Sequence, residues 1–269
     1  MITLAAGIAF GLGTFALSHF AGDVGIGWSI TWGILGFGIF QAVVGLMMQK
    51  RIKRDMERVQ QVVLDGQKRL QAKMQRWQVR PPGSIKAAQK EMFEDTKVFV
   101  KAALKETESL SKYRHFVPFI ERQQATAQLQ LNWMIKDFKA VDALMPKALF
   151  LDPTTNAMKM ARMYMQGRPM DEIGKVYRKA VRRLRYNQNV LLAGAWSWML
   201  VQKGDIDGAF KALSEALKSS DDKTLKANHE QLMNNRPGHF SNSGIGDQWY
   251  SLYLEEPRMR TQRQHMVYR

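Results

Sequence analysis

Apolar residues fill almost all of the first 48 positions of the chain, and Asp23 is the only formally charged side chain among them. Two uncharged stretches, residues 2–20 and 26–48, each approach the length of about 20 residues that a helix needs to cross a bilayer. The segment that joins them is short and rich in glycine, so the two helices must be antiparallel. The pattern therefore predicts a transmembrane helical hairpin at residues 1–48.

The distribution of basic residues predicts how this hairpin is oriented. No Lys or Arg lies in the turn around Asp23, whereas Lys50, Arg51, Lys53 and Arg54 directly follow the second stretch. Basic residues flanking membrane spans stay on the cytoplasmic side, so we expect both termini in the cytoplasm, as in a bacterial inner membrane protein. The four basic residues would contact anionic head groups. A cleaved signal peptide is disfavoured because no basic residue precedes the first stretch.

Small residues recur at intervals of four in both stretches, and this spacing lets helix backbones approach closely in lipid. The simplest interpretation is packing between the two helices of the hairpin. Docking to another membrane protein is the alternative. The residues concerned are Gly7, Gly11, Ser29, Gly33, Gly38 and Ala42.

Beyond the second stretch, residues 49–83 predict a basic amphipathic stalk helix that ends in a Pro-Gly break. Apolar residues recur at alternating intervals of four and three from Ile52 to Trp77, with interruptions at Gly66 and Lys73. We expect this helix to lie on the rest of the protein or on lipid head groups, and self-association as a coiled coil is the alternative. Arg80-Pro81-Pro82-Gly83 then ends the helix, because proline cannot continue one.

The remainder of the chain is also predicted to be helical, since no segment has the alternating pattern of a strand. Residues 84–119 form a helical lead-in, with Ser84 as a cap and an interruption at Pro118. Residues 120–235 form helix pairs and a capping helix. Residues 236–269 form an aromatic and then basic tail. The predicted fold class is therefore all-α, with a hairpin, a stalk and a helical solenoid.

Helix pairs in residues 120–235 recur at a period near 34 residues, the approximate length of several helical repeats. In the clearest copy, Ser197 is the small residue of the first helix and Gly204 makes the turn. Ala209, Leu213 and Ala216 form an alanine–bulky–alanine series in the second helix. This arrangement resembles the tetratricopeptide repeat family.

Two earlier copies are weaker. Ala161 and Ala180 keep the small positions of the middle copy, and Ala148 keeps one in the first copy, where Leu129 stands at a position expected to be small. The resemblance implies a curved solenoid that holds peptide segments or partner proteins and has no catalytic activity. A non-repeating helical bundle shares the same apolar periodicity and remains the alternative.

The chain carries a formal charge of +16 and contains no cysteine, which excludes disulfides and thiolate metal sites. Basic residues concentrate on the predicted second helix of the middle copy, opposite its apolar stripe. A solvated face is the ordinary explanation, and contact with an acidic partner or anionic lipid is the functional one. Nucleic acid is disfavoured because RNA-binding signatures are lacking. The residues are Lys175, Arg178, Lys179, Arg182, Arg183 and Arg185.

The tail contains a predicted aromatic helix at residues 247–254, which is too apolar to be left in water. We expect it to pack against the last repeat. The alternative is that Trp249 and Tyr253 are apolar anchors for a protein partner.

Sequence features of an enzyme are absent. His229-Glu230 lacks the second histidine of a zinc-hydrolase motif, and no glycine-rich phosphate loop occurs. The sequence therefore predicts no catalytic residue, cofactor or metal ligand. The favoured hypothesis is a membrane-anchored adaptor that binds a protein partner. The alternatives are a structural subunit recognised through its hairpin and, with least support, a membrane tether for nucleic acid; self-association stays open.

Overall fold

The computed structural model of the protein describes residues 2–22, 25–79 and 83–256. Within these ranges the chain forms eleven α-helices and short 3-10 helices, without a strand, so the predicted all-α class is confirmed. The chain forms two compact units, Met1–Leu149 and Phe150–Arg269. Asp23, most of the break at residues 80–83, and the basic end of the tail at residues 258–269 lie outside the described residues.

Helix α1 spans Ile2–Phe20 and helix α2 spans Ile26–Val79. Helix α1 and the first part of α2 are long and apolar enough to cross a membrane. Their large side chains face outward: Leu12 and Leu17, for example, expose 63% and 68% of their surface. Such exposure is unusual for the core helix of a soluble protein, where large apolar side chains are buried.

Helix α2 continues without a break from its apolar part into the basic stalk and is 54 residues long, or about 80 Å at 1.5 Å per residue. Helix α3 (Ile85–Thr107) runs back along the stalk. Its first turn is capped by Ser84, as predicted, because the Ser84 side chain accepts a hydrogen bond from the Ala87 N–H at 3.1 Å.

The core of the first unit forms where the stalk, α3 and α4 (Ile120–Met134) meet. The stalk contributes Val59, α3 contributes Val100 and Ala103, and α4 contributes Leu131; all four are buried. A 3-10 helix (Glu108–Tyr113) connects α3 towards α4, and the short helix α5 (Phe138–Leu144) packs on α4.

The second unit contains five longer helices, followed by a short helix in the tail; the five are α6 (Pro153–Met165), α7 (Met170–Val181), α8 (Val190–Gln202), α9 (Ile206–Leu217) and α10 (Lys223–Met233). Helix α6 packs on both α7 and α8, α8 packs on α9, and α9 packs on α10. Aspartate side chains cap the starts of α6, α9 and α10 and so satisfy backbone N–H groups there.

The small and apolar positions of the clearest predicted copy lie between packed helices. Ser197, Ala209 and Leu213 are completely buried. Gly204 has φ +80°, a left-handed conformation that glycine adopts without strain. The boundary between the two compact units nevertheless falls after Leu149, inside the segment 120–235, so the pair α4–α5 belongs to the first unit and the later pairs to the second.

The aromatic tail folds onto the second unit, but its helix is shorter than predicted. Helix α11 spans only Asp247–Tyr250; the chain continues in turns and bends, and Tyr253 has φ +56°. The buried Asn242 side chain donates a hydrogen bond to the Gly194 carbonyl of α8 at 2.7 Å and accepts one from Asn228 of α10 at 3.0 Å. These bonds fix the tail to α8 and α10.

Candidate functional site

The hairpin helices approach most closely where two glycines face each other. A Cβ added to Gly11 would lie 2.9 Å from the Gly33 carbonyl oxygen, and one added to Gly33 would lie 3.1 Å from the Gly11 carbonyl oxygen. A Cβ added to Gly7 would instead meet side chains of α2, at 2.5 Å from Gln41 Nε2 and 3.1 Å from Phe37 Cε2, and Ser29 is fully buried. These four predicted residues therefore lie in the packing between α1 and α2.

The other predicted pair of small residues lies on a different face. Space is open beside Gly38 for at least 4 Å, and Ala42 is exposed, so neither contributes to hairpin packing. The prediction was wrong for these two because a spacing of four identifies a small-residue face without saying which helix covers it. Gly36 instead lies in the packing between the two helices, where it contacts Thr14 of α1.

The stalk meets the 3-10 helix through a buried carboxylate that the sequence analysis missed. Asp55 is 4% exposed and accepts hydrogen bonds from Lys112 Nζ at 2.8 Å and from the Tyr113 hydroxyl at 3.0 Å. Burial alone would raise the pKa of Asp55, but the hydrogen bonds from Lys112 and Tyr113 and the charges of Lys112 and Arg58 outweigh it and lower that pKa. The sequence feature that could have identified Asp55 as a buried residue is its position four residues, or one helical turn, before the buried Val59.

The predicted membrane-surface residues surround this junction. Lys50, Arg51, Lys53 and Arg54 are all exposed, as contact with head groups requires. Lys53 lies 3.9 Å from Glu57, one helical turn further on, which is a weak surface pair.

Both interruptions of the apolar stripe on the stalk are occupied by α3. The ring of Phe99 fills the notch at Gly66, where a Cβ would lie 2.2 Å from Phe99 Cγ. Lys73 Nζ lies 2.5 Å from a carboxylate oxygen of both Glu91 and Asp95. The stalk thus packs on the protein itself, in agreement with the favoured prediction.

The basic residues of α7 form a less regular surface than predicted. The helix ends at Val181, so Lys175, Arg178 and Lys179 lie on it, Arg182 caps it, and Arg183 and Arg185 lie in the following turn. All six are exposed, and no carboxylate of the described residues forms an ion pair with them. Asp171 and Glu172 begin the helix and cations end it, which also stabilises the helix dipole.

Lys159 of α6 adds positive charge beside this surface. Its ammonium lies 4.7 Å from the centre of the Phe150 ring, a cation–π contact. Burial, and secondly the charge of Lys179, lower the pKa of Lys159.

An exposed tyrosine that the sequence analysis missed lies within the same basic surface. Tyr186 is 62% exposed and follows Arg185 directly. Two hydrogen bonds join its turn to the segment after α9: the Asn187 N–H donates to the Ser219 carbonyl at 2.9 Å, and the Asn187 side-chain oxygen accepts from the Asp221 N–H at 2.9 Å. The sequence feature that could have identified Tyr186 is that it is an aromatic residue within an arginine-rich segment. Tyrosine and arginine are both enriched where binding energy concentrates at interfaces.

The predicted aromatic anchors of the tail, Trp249 and Tyr253, are less exposed than Tyr186. Trp249 is completely buried, with its indole N–H donating to Glu255 at 3.0 Å and its ring 5.6 Å from Trp198. It therefore belongs to the core of the second unit, and its assignment as a partner anchor was wrong. Tyr253 is half-buried, and this burial raises its pKa.

Among the described residues, no group of three His, Asp or Glu side chains is placed to hold a metal ion. His229 is packed rather than free: its ring stacks on Phe210, and its Nε2 lies 2.9 Å from the Ser214 hydroxyl. Comparisons with models of known protein families, with curated proteins and with solved structures found no match to the chain.

Proposed function

We propose that the protein is a membrane-anchored, cytoplasm-facing adaptor whose helical body binds a protein partner. The packing of α6 against both its own partner α7 and the next first helix α8 carries this proposal. Side-by-side first helices are characteristic of stacked helical repeats, whose surfaces serve mainly in binding. The buried small residues Ala161, Ser197 and Ala209, at positions where the tetratricopeptide family requires them, add support.

The anchor in this proposal is the hairpin. The outward-facing leucine, isoleucine and phenylalanine side chains of α1 and α2 would be solvated by lipid, which removes their apolar surface from water. An anchored adaptor and its partner share one membrane, which raises their effective concentration and lets weak contacts suffice.

The partner-binding surface in this proposal is the basic surface of α7 and its following turn. No carboxylate of the described residues forms an ion pair with these exposed cations, so an acidic segment of a partner would supply the negative charge that pairs with them. Tyr186, which is exposed and directly follows Arg185, offers an aromatic contact on this surface. We therefore expect a partner with an acidic segment that also carries an apolar residue.

The test is affinity capture of the full-length protein from gently solubilised native membranes after nuclease treatment. The test variant combines Arg178→Ala, Arg182→Ala and Arg185→Ala. We expect it to lose a partner that the wild-type protein retains.

The matched control removes the same charge from exposed residues elsewhere in the second unit, by Lys211→Ala, Lys223→Ala and Arg236→Ala. It should retain the partner. Equal capture by both variants would contradict the assignment of this surface. Capture of nucleic acid alone, lost when salt is raised, would instead favour the tether hypothesis.

A second candidate function is supported by the outward face of α2. Gly38 and Gly45 have open space beside them, and together with exposed Ala42 they would let another membrane helix approach closely. In this case the protein is a structural subunit recognised through its hairpin. Gly38→Val would then release the protein from its complex while the triple arginine variant stays bound, which is the opposite of the adaptor result.

A further inference from the structure

The turn before α4 presents an aromatic side chain in an unusual position. Phe119 is 65% exposed, whereas the adjacent Ile120 is buried. Phe119 also has φ +65°, a conformation that bulky residues seldom adopt. Its carbonyl oxygen accepts hydrogen bonds from the N–H groups of Arg122 and Gln123 at 3.0 Å each. The first turn of α4 therefore holds Phe119 in an exposed position.

Hydrogen bonds fix this turn against the first residues of α1. The Ile2 N–H donates to the His115 carbonyl at 3.1 Å, and the Thr3 hydroxyl donates to the Phe116 carbonyl at 3.0 Å. Gln41 of α2 donates to the Thr3 carbonyl at 3.0 Å. The turn before α4, the first residues of α1 and the part of α2 around Gln41 are thus joined to one another.

The length of α1 determines how deep in a bilayer the turn that is bonded to Ile2 and Thr3 lies. Its 19 residues give a helix of about 28 Å, close to the hydrocarbon thickness of about 30 Å. The whole helix is needed to cross, so Ile2 lies at the boundary between acyl chains and head groups. A turn bonded to Ile2 and Thr3 lies at the same boundary.

The charges around the turn suit anionic head groups. Arg114 and Arg122 are exposed on either side of Phe119, and Arg51 lines a surface pocket together with Phe116. Cations close to the membrane surface are attracted to anionic lipid. Glu121 is the one exposed acid in residues 114–122; it lies in the first turn of α4, where the helix dipole favours it.

We propose that residues 114–122 form a second membrane contact, with Phe119 inserted at the acyl boundary and the flanking arginines on anionic head groups. This inference rests on the proposed membrane anchorage. Since the same turn is joined through Tyr113 to the buried Asp55 of the stalk, the contact would fix the inclination of the first unit relative to the bilayer.

The absence of cysteine allows the test to use single introduced cysteines that carry a fluorophore. The full-length protein is reconstituted into vesicles of phosphatidylcholine and phosphatidylglycerol. Quenching is measured with a lipid spin-labelled high on its acyl chain and with aqueous iodide. The reporter site is Pro118→Cys, which keeps Phe119 intact. Leu12→Cys in α1 reports on anchorage, and Val98→Cys, an exposed apolar site on α3, reports on water.

We expect lipid quenching at residues 12 and 118 and iodide quenching at residue 98. When Phe119→Asp is added to the Pro118→Cys protein, the fluorophore at residue 118 should be quenched by iodide and no longer by the spin-labelled lipid. The same substitution added to the Leu12→Cys protein should leave its lipid quenching unchanged. Lipid quenching at residue 12 together with iodide quenching at residue 118 would overturn this inference but preserve the anchorage. Iodide quenching at residue 12 would overturn the anchorage itself. Protection of residue 118 from both quenchers would overturn the inference by showing that protein covers the turn.

Discussion

The contact between Gly66 and Phe99 predicts that one substitution will change stability in opposite directions in two backgrounds. A Cβ at Gly66 would lie 2.2 Å from Phe99 Cγ, well inside van der Waals contact, and the nearest atoms include Phe99 Cβ, which cannot move without the backbone. Gly66→Ala should therefore force the stalk and α3 apart. In a Phe99→Ala background the ring is gone, and the added methyl group has room.

Two opposing terms set the size of the effect. Overpacking costs about 1–3 kcal/mol, whereas replacing glycine by alanine inside a helix stabilises it by up to about 1 kcal/mol. Gly66→Ala should therefore destabilise the wild-type pairing by as much as about 2 kcal/mol. In the Phe99→Ala background it should stabilise the stalk by about 0.5–1 kcal/mol. The coupling energy between the two sites is then about 1–3 kcal/mol.

Hydrogen exchange read by mass spectrometry can measure this coupling energy, because it reports the opening of the stalk and of α3 separately from the rest of the protein. All four members of the cycle are compared in detergent micelles. A change of about 1.4 kcal/mol corresponds to a tenfold change in protection. If Gly66→Ala raised protection equally with and without Phe99, the ring would not occupy the notch, and the packing of the stalk on α3 would be refuted.

Three further predictions concern other contacts. Asp55→Asn should destabilise the first unit by about 1–3 kcal/mol at neutral pH. Because the folded-state pKa of Asp55 is lowered, this difference in thermal stability should be present above about pH 4 and vanish as the pH falls through that pKa; a pH-independent difference would contradict it. Gly33→Val should separate the hairpin helices, measured as lost cross-linking between cysteines on facing positions, whereas Gly38→Val should not. Asn242→Ala should speed hydrogen exchange in the tail, whereas the exposed control Ser243→Ala should leave it unchanged.

The sequence predicted the two apolar helices well because helix length and continuous apolar composition are properties of consecutive residues. The predicted first stretch, residues 2–20, coincides with α1, and the predicted second stretch begins where α2 begins. The same reasoning could not assign Gly66 and Lys73, which looked like defects in the stripe. Their roles depend on Phe99, Glu91 and Asp95 of α3, which are distant in sequence.

The candidate site was predicted less completely, because exposure is a tertiary property. The periodicity correctly placed Ser197 and Ala209 between helices. It extended α7 beyond Val181, since Leu184 continues the apolar pattern past the real end of the helix. Composition alone could not distinguish Trp249, which is buried, from Tyr186, which is exposed. Both are aromatic residues close to polar segments, and only the fold separates them.

Photo-cross-linking from residue 186 in native membranes tests the adaptor account most directly. A photoreactive amino acid replaces Tyr186 in the full-length protein, and a second protein carries it at Lys211, an exposed position on α9. We expect one dominant protein adduct from residue 186, joined through an acidic segment of the partner. This adduct should disappear when Arg178, Arg182 and Arg185 are replaced by alanine, and it should be absent when the photoreactive group is at residue 211. Cross-links that are the same from both positions, or that survive the arginine replacements, would contradict the adaptor account.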